Sequence, residues 1–319
     1  MIKNLLLVTI TVSLLLVGCG KVTPVNKVQQ DRPLPTVAAP ANNAAAESPV
    51  TITPTVTIAV SDTIDYNQYI KKTWIEIDGT CNFSFCISKI IDGEIVGIFT
   101  TSFPAVPNRY DLGHIAGTID KDTADCQFSD TIGNKGNIKL VFKPNNEMEA
   151  TLKLTEKSQY IDERPQEGTF QFIPYNLNDI KEFSLIEDQS FIVDLDSWGT
   201  VNFVSGILTG GNHIPTVFYL TNEDGDILYD FNSELPYSVD VKAVSFKDVN
   251  KDGLKDVIII VADNYGIDYN EDSDMLIATV YFQNSDGLFA NDYDLDFEIN
   301  ESGNNKDIKT VTDYLSKKY

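Results

Sequence analysis

The chain predicts a mainly β protein made of two β-rich domains, and three observations carry that expectation. Short runs of β-branched and aromatic residues recur along it, separated by turn dipeptides such as Asp78-Gly79, Asp92-Gly93, Gly133-Asn134 and Asn145-Asn146. Apolar and polar residues alternate strictly in Met148-Glu149-Ala150-Thr151-Leu152-Lys153-Leu154, as a half-buried strand requires. A helical period stands out only near the C-terminus, over Asn305–Lys318.

The first segment is an address. Lys3 precedes a nearly unbroken apolar run, Leu5–Val17, too short for an ordinary membrane span and flanked as a signal peptide is. Leu16-Val17-Gly18-Cys19 resembles the lipobox of bacterial lipoproteins. The resemblance implies a signal peptide over residues 1–18, cleavage before Cys19 and a lipid on its thiol, hence an extracytoplasmic protein anchored to the bacterial membrane. The competing description is a single-pass anchor with an incidental cysteine. Residues 19–63 read as a flexible tether, because Pro, Ala, Thr, Val and Asn without one aromatic residue cannot bury enough surface to offset ordering entropy.

Residues 64–160 read as a small barrel or sandwich. Its strand candidates are Thr73–Ile77, Asn82–Ile90, Glu94–Thr101, Leu112–Asp120, Thr123–Ser129, Ile138–Lys143 and Glu149–Glu156. A barrel of this size either holds an apolar ligand or is filled by its own side chains. Cys81 shares parity with Phe83 and Phe85, and Cys126 with Ala124 and Phe128, so both thiols face the interior and Cys86 faces away. A Cys81–Cys126 disulfide is therefore expected, with reduced, core-filling cysteines as the alternative. Ser158–Pro174, polar and punctuated by Pro165 and Gly168, reads as the boundary between the domains.

The second domain spans 175–319. Its strand candidates are Phe191–Leu195, Val201–Leu208, Thr216–Thr221, Ile227–Phe231, Val239–Phe246, Val257–Val261, Met275–Gln283 and Phe297–Asn300. Asn222-Glu223-Asp224-Gly225-Asp226 reads as a plain hairpin turn. Between Phe246 and Val257 stands Asp248-Val249-Asn250-Lys251-Asp252-Gly253-Leu254-Lys255-Asp256. Oxygen side chains on alternate residues, a glycine for the sharp turn and the Leu254 carbonyl are what a hard divalent cation needs around one point. Position twelve is Ile259, inside a strand, so the loop is not an EF-hand. The bidentate role falls to Asp256 or to a distant residue, for which the acidic run Asp263–Asp274 offers candidates. An ordinary Asp/Gly-rich turn is the plainer alternative.

This loop and the aliphatic strand after it resemble the calcium loop of FG-GAP/VCBS-type repeats. Tyr281-Phe282-Gln283-Asn284-Ser285-Asp286-Gly287-Leu288-Phe289 is similar to the hairpin that follows it there. The resemblance covers Val244–Phe289 and implies a β-rich, calcium-stabilised unit in an extracellular setting; one loop does not imply a propeller. Ile308, Val311 and Leu315 share a face of the terminal helix, which an Asn is expected to cap, with Asp307 in the first turn and Lys317 and Lys318 at the end.

A formal net charge of −23, from 47 acidic and 24 basic residues, excludes nucleic acid as a partner, since phosphate binding needs basic surface. The two histidines, His114 and His213, have no metal-ligand spacing, and no nucleophile elbow or phosphate loop is present. The expected role is a calcium-stabilised binding or interaction module of the cell envelope, not an enzyme, whose partner is another envelope protein or a glycan. Alternatives are a glycan-directed hydrolase using a carboxylate pair, and an envelope inhibitor or chaperone that binds another exported protein. A glycan platform would draw on Trp74, Trp198, Tyr219 and Tyr237.

Overall fold

The computed structural model describes residues 64–102, 110–210, 214–231, 235–263 and 275–319. The expected signal peptide, lipobox with Cys19 and tether, together with His213 and residues 264–274 of the acidic run, lie outside these residues.

Eight antiparallel strands close into a barrel: β1 (Lys72–Glu76), β2 (Phe83–Ile91), β3 (Glu94–Ser102), β4 (Tyr110–Asp120), β5 (Thr123–Asp130), β6 (Lys135–Lys143), β7 (Glu147–Glu156) and β8 (Gly168–Pro174). Each strand pairs with its neighbour in sequence, and β1 pairs with β8 to remove both edges. The tight turn between β2 and β3 uses Asp92 and Gly93 at φ of 52° and 81°, the left-handed values that suit a twisted two-residue hairpin. Alternation aims every second residue inward, and aromatic rings fill the lumen. Trp74, Phe85, Phe99 and Phe172 are among the most deeply buried side chains, and Phe83, Phe128 and Phe142 pack with them. The interior is its own core.

The eighth strand corrects the expected boundary. Gly168–Pro174, assigned from the sequence to the linker, is the closing strand, so the barrel extends past residue 160 to Pro174. Polar residues and the preceding Pro165 hide its pattern, yet Phe172 is fully buried between Phe83 and Phe85.

The rest of the chain forms a sandwich with a helical layer. One sheet joins β9 (Phe183–Leu185), β10 (Phe191–Leu195), β11 (Gly199–Leu208), β12 (Thr216–Thr221) and β13 (Ile227–Asp230). Both β9 and β10 pair with β11, on successive halves of that strand. The second sheet runs β14 (Asp240–Lys247), β15 (Asp256–Asp263), β16 (Met275–Gln283) and β17 (Phe289–Asn291). Phe203 and Phe218 of the first sheet, with Phe231 just past β13, pack with Val257, Ile259 and Tyr281 of the second. On the other side Ile258, Ile260 and Val280 meet Leu295 and Ile299 of α1 (Tyr293–Glu301), and Val311 and Leu315 of α2 (Ile308–Lys318). Strand β15 is thus covered on both faces, which is why its sequence is continuously aliphatic instead of alternating.

Two expectations about this region change. Phe297–Asn300, expected as a strand, lies in α1, because Asp292 caps Leu295 N and Leu295 and Ile299 sit four residues apart on the buried face. The N-cap of α2 is Asp307, whose carboxylate accepts from Thr310 N at 2.7 Å; no asparagine caps it.

Barrel and sandwich touch along the outside of β1 and β2. Cys86, on the outer face of the barrel as its parity requires, is buried against the sandwich and donates from Sγ to Leu228 O at 3.2 Å. Lys72 Nζ lies 3.7 Å from Asp226 Oδ2, and Lys71 sits 5.9 Å above the Trp198 ring. The Asn222–Asp226 segment is the hairpin turn the sequence suggests, with Asn222 Oδ1 accepting from Asp226 N.

Candidate metal centre

The loop between β14 and β15 is built by its own side chains. The extended backbone of β14 ends at Lys247, and Asp248 then accepts from two amides further on, Asp252 N to Oδ1 at 3.2 Å and Gly253 N to Oδ2 at 3.1 Å. Asn250 Oδ1 also accepts from Asp252 N, at 3.1 Å, and Asp252 Oδ1 accepts from Leu254 N at 2.8 Å. These short-range bonds curl the chain into a tight turn, a conformation that Asp and Asn favour. Gly253 takes φ of 91°, which a residue with a Cβ adopts only under strain.

Asp256 differs in kind. Its side chain is fully buried at the foot of β15, where Oδ2 accepts from Val249 N at 2.9 Å and Oδ1 from Gln283 N at 3.0 Å. It ties the loop to the end of β16. Burial pushes its carboxyl up to about 6, and the Asp252 and Asp248 charges add to the rise while the two backbone donors oppose it. The loop carboxylates are therefore close enough to feel one another.

Both lysines of the loop bond carbonyls of other segments. Lys255 Nζ donates to Asp194 O at 2.6 Å and Lys251 Nζ to Ser316 O at 3.5 Å. Among the described residues no cationic side chain pairs with Asp248, Asp252 or Asp256. The donor set fits a hard cation in kind: Asp248, Asn250, Asp252, the Leu254 carbonyl and Asp256 all present oxygen. It is not gathered into a shell, since the side chains hydrogen-bond their own loop, and among the described residues no three acidic, thiol or imidazole groups converge as metal ligands. Loading would require Asp248 and Asp252 to rotate. Asp256, pinned by a buried donor on each oxygen, is the least free to do so.

The expected Cys81–Cys126 bridge is absent; Cys81, Cys86 and Cys126 are free thiols. Parity places Cys81 and Cys126 against the barrel core as expected, but register separates them. The ladder carries Cys126 through Gly117 and Ile95 to Ile90, near the far end of β2, whereas Cys81 precedes its first residue. Alternation reports the face of a strand and says nothing of height along it. Burial pushes Cys126 up to about 12 and Cys81 to about 11, so neither is an activated nucleophile.

Three proposed glycan-platform residues are interior: Trp74, Trp198 and Tyr219 are buried, and Tyr237 is half-buried. His114 is exposed on the outer wall of the barrel.

One polar cluster escapes the sequence reading. Asp296 of α1 accepts from Thr279 Oγ1 at 2.6 Å, Asn291 Nδ2 at 2.7 Å and Val280 N at 3.1 Å. Asn300 accepts from Ala278 N and donates to Ala278 O, at 2.8 and 2.9 Å. Side chains of α1 thus stand in for the strand that short β17 does not supply beside β16, and so cover its edge. Burial pushes the Asp296 carboxyl up to about 6. Reading Phe297–Asn300 as a strand conceals this cluster; Asp292 as a cap with Leu295 and Ile299 four residues apart is the signal that reveals it.

No protein-family model matches the chain, and neither the curated proteins nor the solved structures contain a significant match to it.

Proposed function

We propose that this is an extracytoplasmic lipoprotein, anchored to the bacterial membrane through Cys19, whose barrel and sandwich form a calcium-stabilised binding or interaction module of the cell envelope. The supporting observation is the β14–β15 loop. Its oxygen side chains lie on one curled segment, and its lysines bond carbonyls of other segments. Calcium held there would satisfy charge that the protein itself leaves unpaired, and would brace the junction of β14, β15 and the end of β16. The acidic balance of the chain suits a cation-rich exterior and an uncharged or cationic partner. With its core closed, the barrel is a display scaffold, and the partner, an envelope protein or a glycan, binds outside it.

Thermal unfolding with calcium and with chelator tests the metal. The expected stabilisation is about 2.7 kcal/mol at a hundredfold excess over Kd, with magnesium giving less. An unchanged midpoint would refute the calcium reading. Metabolic labelling with a clickable fatty acid tests the anchor: wild type takes up label and Cys19→Ser does not.

A further inference from the structure

A cavity of about 290 Å³ opens where β13, β16, β17 and α1 meet. Its walls carry the rings of Tyr229, Phe231, Tyr281, Phe289 and Tyr293, and the carboxylate of Asp296 stands among them. Four of the rings pack against one another in edge-on and tilted contacts, with centroids 5.0 to 5.2 Å apart. Tyr229 fixes one corner, its hydroxyl bonding both Phe289 O and Phe289 N, at 3.0 and 3.1 Å. Tyr293 stands at the rim, 57% exposed.

The polar groups decide what fits. A sugar would need free amides to read its hydroxyls, but Asn300 and Asn291 spend theirs on the backbone of β16. What remains uncompensated is charge. Asp296 has three neutral donors and, among the described residues, no cationic partner. Among the described residues no Lys or Arg lines the cavity, and Asp292 adds a second negative charge nearby. A metal ion is a poor occupant, because one carboxylate among aromatic walls cannot supply six oxygens. Aromatic rings and a lone carboxylate attract the same thing, an organic cation. The volume, at the lower end for ligand pockets, sets a small size.

We propose that this cavity binds a small organic ammonium ion, its charged head facing Asp296 and its alkyl groups against Tyr293 and the deeper rings. The proposal deepens the binding-module reading by naming a ligand class. It is independent of the calcium loop, so each fails separately.

Calorimetric titration of the full-length protein with choline, beside its neutral isostere 3,3-dimethylbutanol, tests it in calcium and in chelator. Choline should bind at least about fivefold more tightly than the isostere, since only the cation gains from the rings and the carboxylate. Tyr293→Ala, at an exposed rim position, should fold normally and weaken choline by about two- to thirtyfold. Asp296→Asn should narrow the difference between the two ligands, leaving only what the rings contribute. Equal binding of choline and isostere by wild type, no choline binding, or unaltered choline affinity in Tyr293→Ala would each overturn the proposal. Should Asp296→Asn not fold, the Tyr293 variant and the isostere still decide. A calcium-dependent melting shift without choline binding would retain the metal and remove only the pocket.

Discussion

The barrel and the sandwich solve the same problem in opposite ways. In the barrel every strand pairs with its sequence neighbour, closure abolishes the edges, and among the described residues no charged side chain is buried. The sandwich leaves edges, covers one with Asp296 and Asn300, and buries the Asp256 carboxylate outright. Closure gives every barrel strand a backbone partner on both sides and leaves the interior to mainly apolar packing. The open sheets need polar side chains as substitutes for backbone partners, and the proposed metal and ammonium sites both draw on those carboxylates. Stability and function are therefore expected to separate along the chain.

The largest test of that separation lies in the barrel. Trp74 is fully buried, and its indole donates to Tyr69 O at 3.1 Å. Trp74→Ala should cost about 3–5 kcal/mol, while the calcium-dependent shift of the sandwich persists. Calorimetry with and without metal reads both; loss of the shift would show that the two regions are one energetic unit.

Next comes the contrast within the loop. Asp256→Ala orphans two buried backbone donors and should destabilise the metal-free protein by about 2–4 kcal/mol. Asp248 is exposed and its donors can turn to water, so Asp248→Ala should cost under about 1 kcal/mol in chelator but reduce the response to calcium. Urea unfolding in chelator, followed by calcium titration, separates structural from ligating roles. Equal costs in chelator would place both residues in one role.

Asp296 gives a smaller effect, seen as a slope. Its carboxyl is raised from 3.8 to about 6 on folding, so the folded state holds that proton more tightly. Its contribution to stability is full below about 4 and is lost as pH rises through about 6. Between pH 4 and 7 Asp296→Asn should flatten the decline of the urea midpoint with rising pH, measured in chelator. A slope unchanged from wild type would deny the raised value. The smallest change is at the end of the chain, where Asp307→Ala removes the cap of α2 and should lower the urea midpoint only slightly.

Much of this was readable in advance, and the failures share a cause. The seven barrel strands from β1 to β7, the turn at Asp92-Gly93 and the outward face of Cys86 follow from alternation and turn chemistry, which are local. Strand β8 carries the same local physics, but Pro165 and its polar neighbours mask it. It becomes a strand because β1 and β7 leave a gap that only a strand can close. The continuous aliphatic run of β15 announced burial, though its two coverings, a sheet and a pair of helices, lie far off in sequence.

The sequence by itself determined the mainly β character, the spacing of oxygen atoms in residues 248–256, the inward and outward faces of the barrel strands and the acidic balance. Each depends on neighbours within a few residues, where φ, side-chain parity and charge are written directly. Only the tertiary structure decided that Cys81 and Cys126 stand at different heights, that Asp256 is a buried tie while Asp248 is exposed, and that five aromatic rings meet Asp296 in one cavity. Those facts depend on strand register and on which sheet packs against which. Register and packing are set by the sum of many weak contacts across the fold, and no short stretch of chain contains that sum.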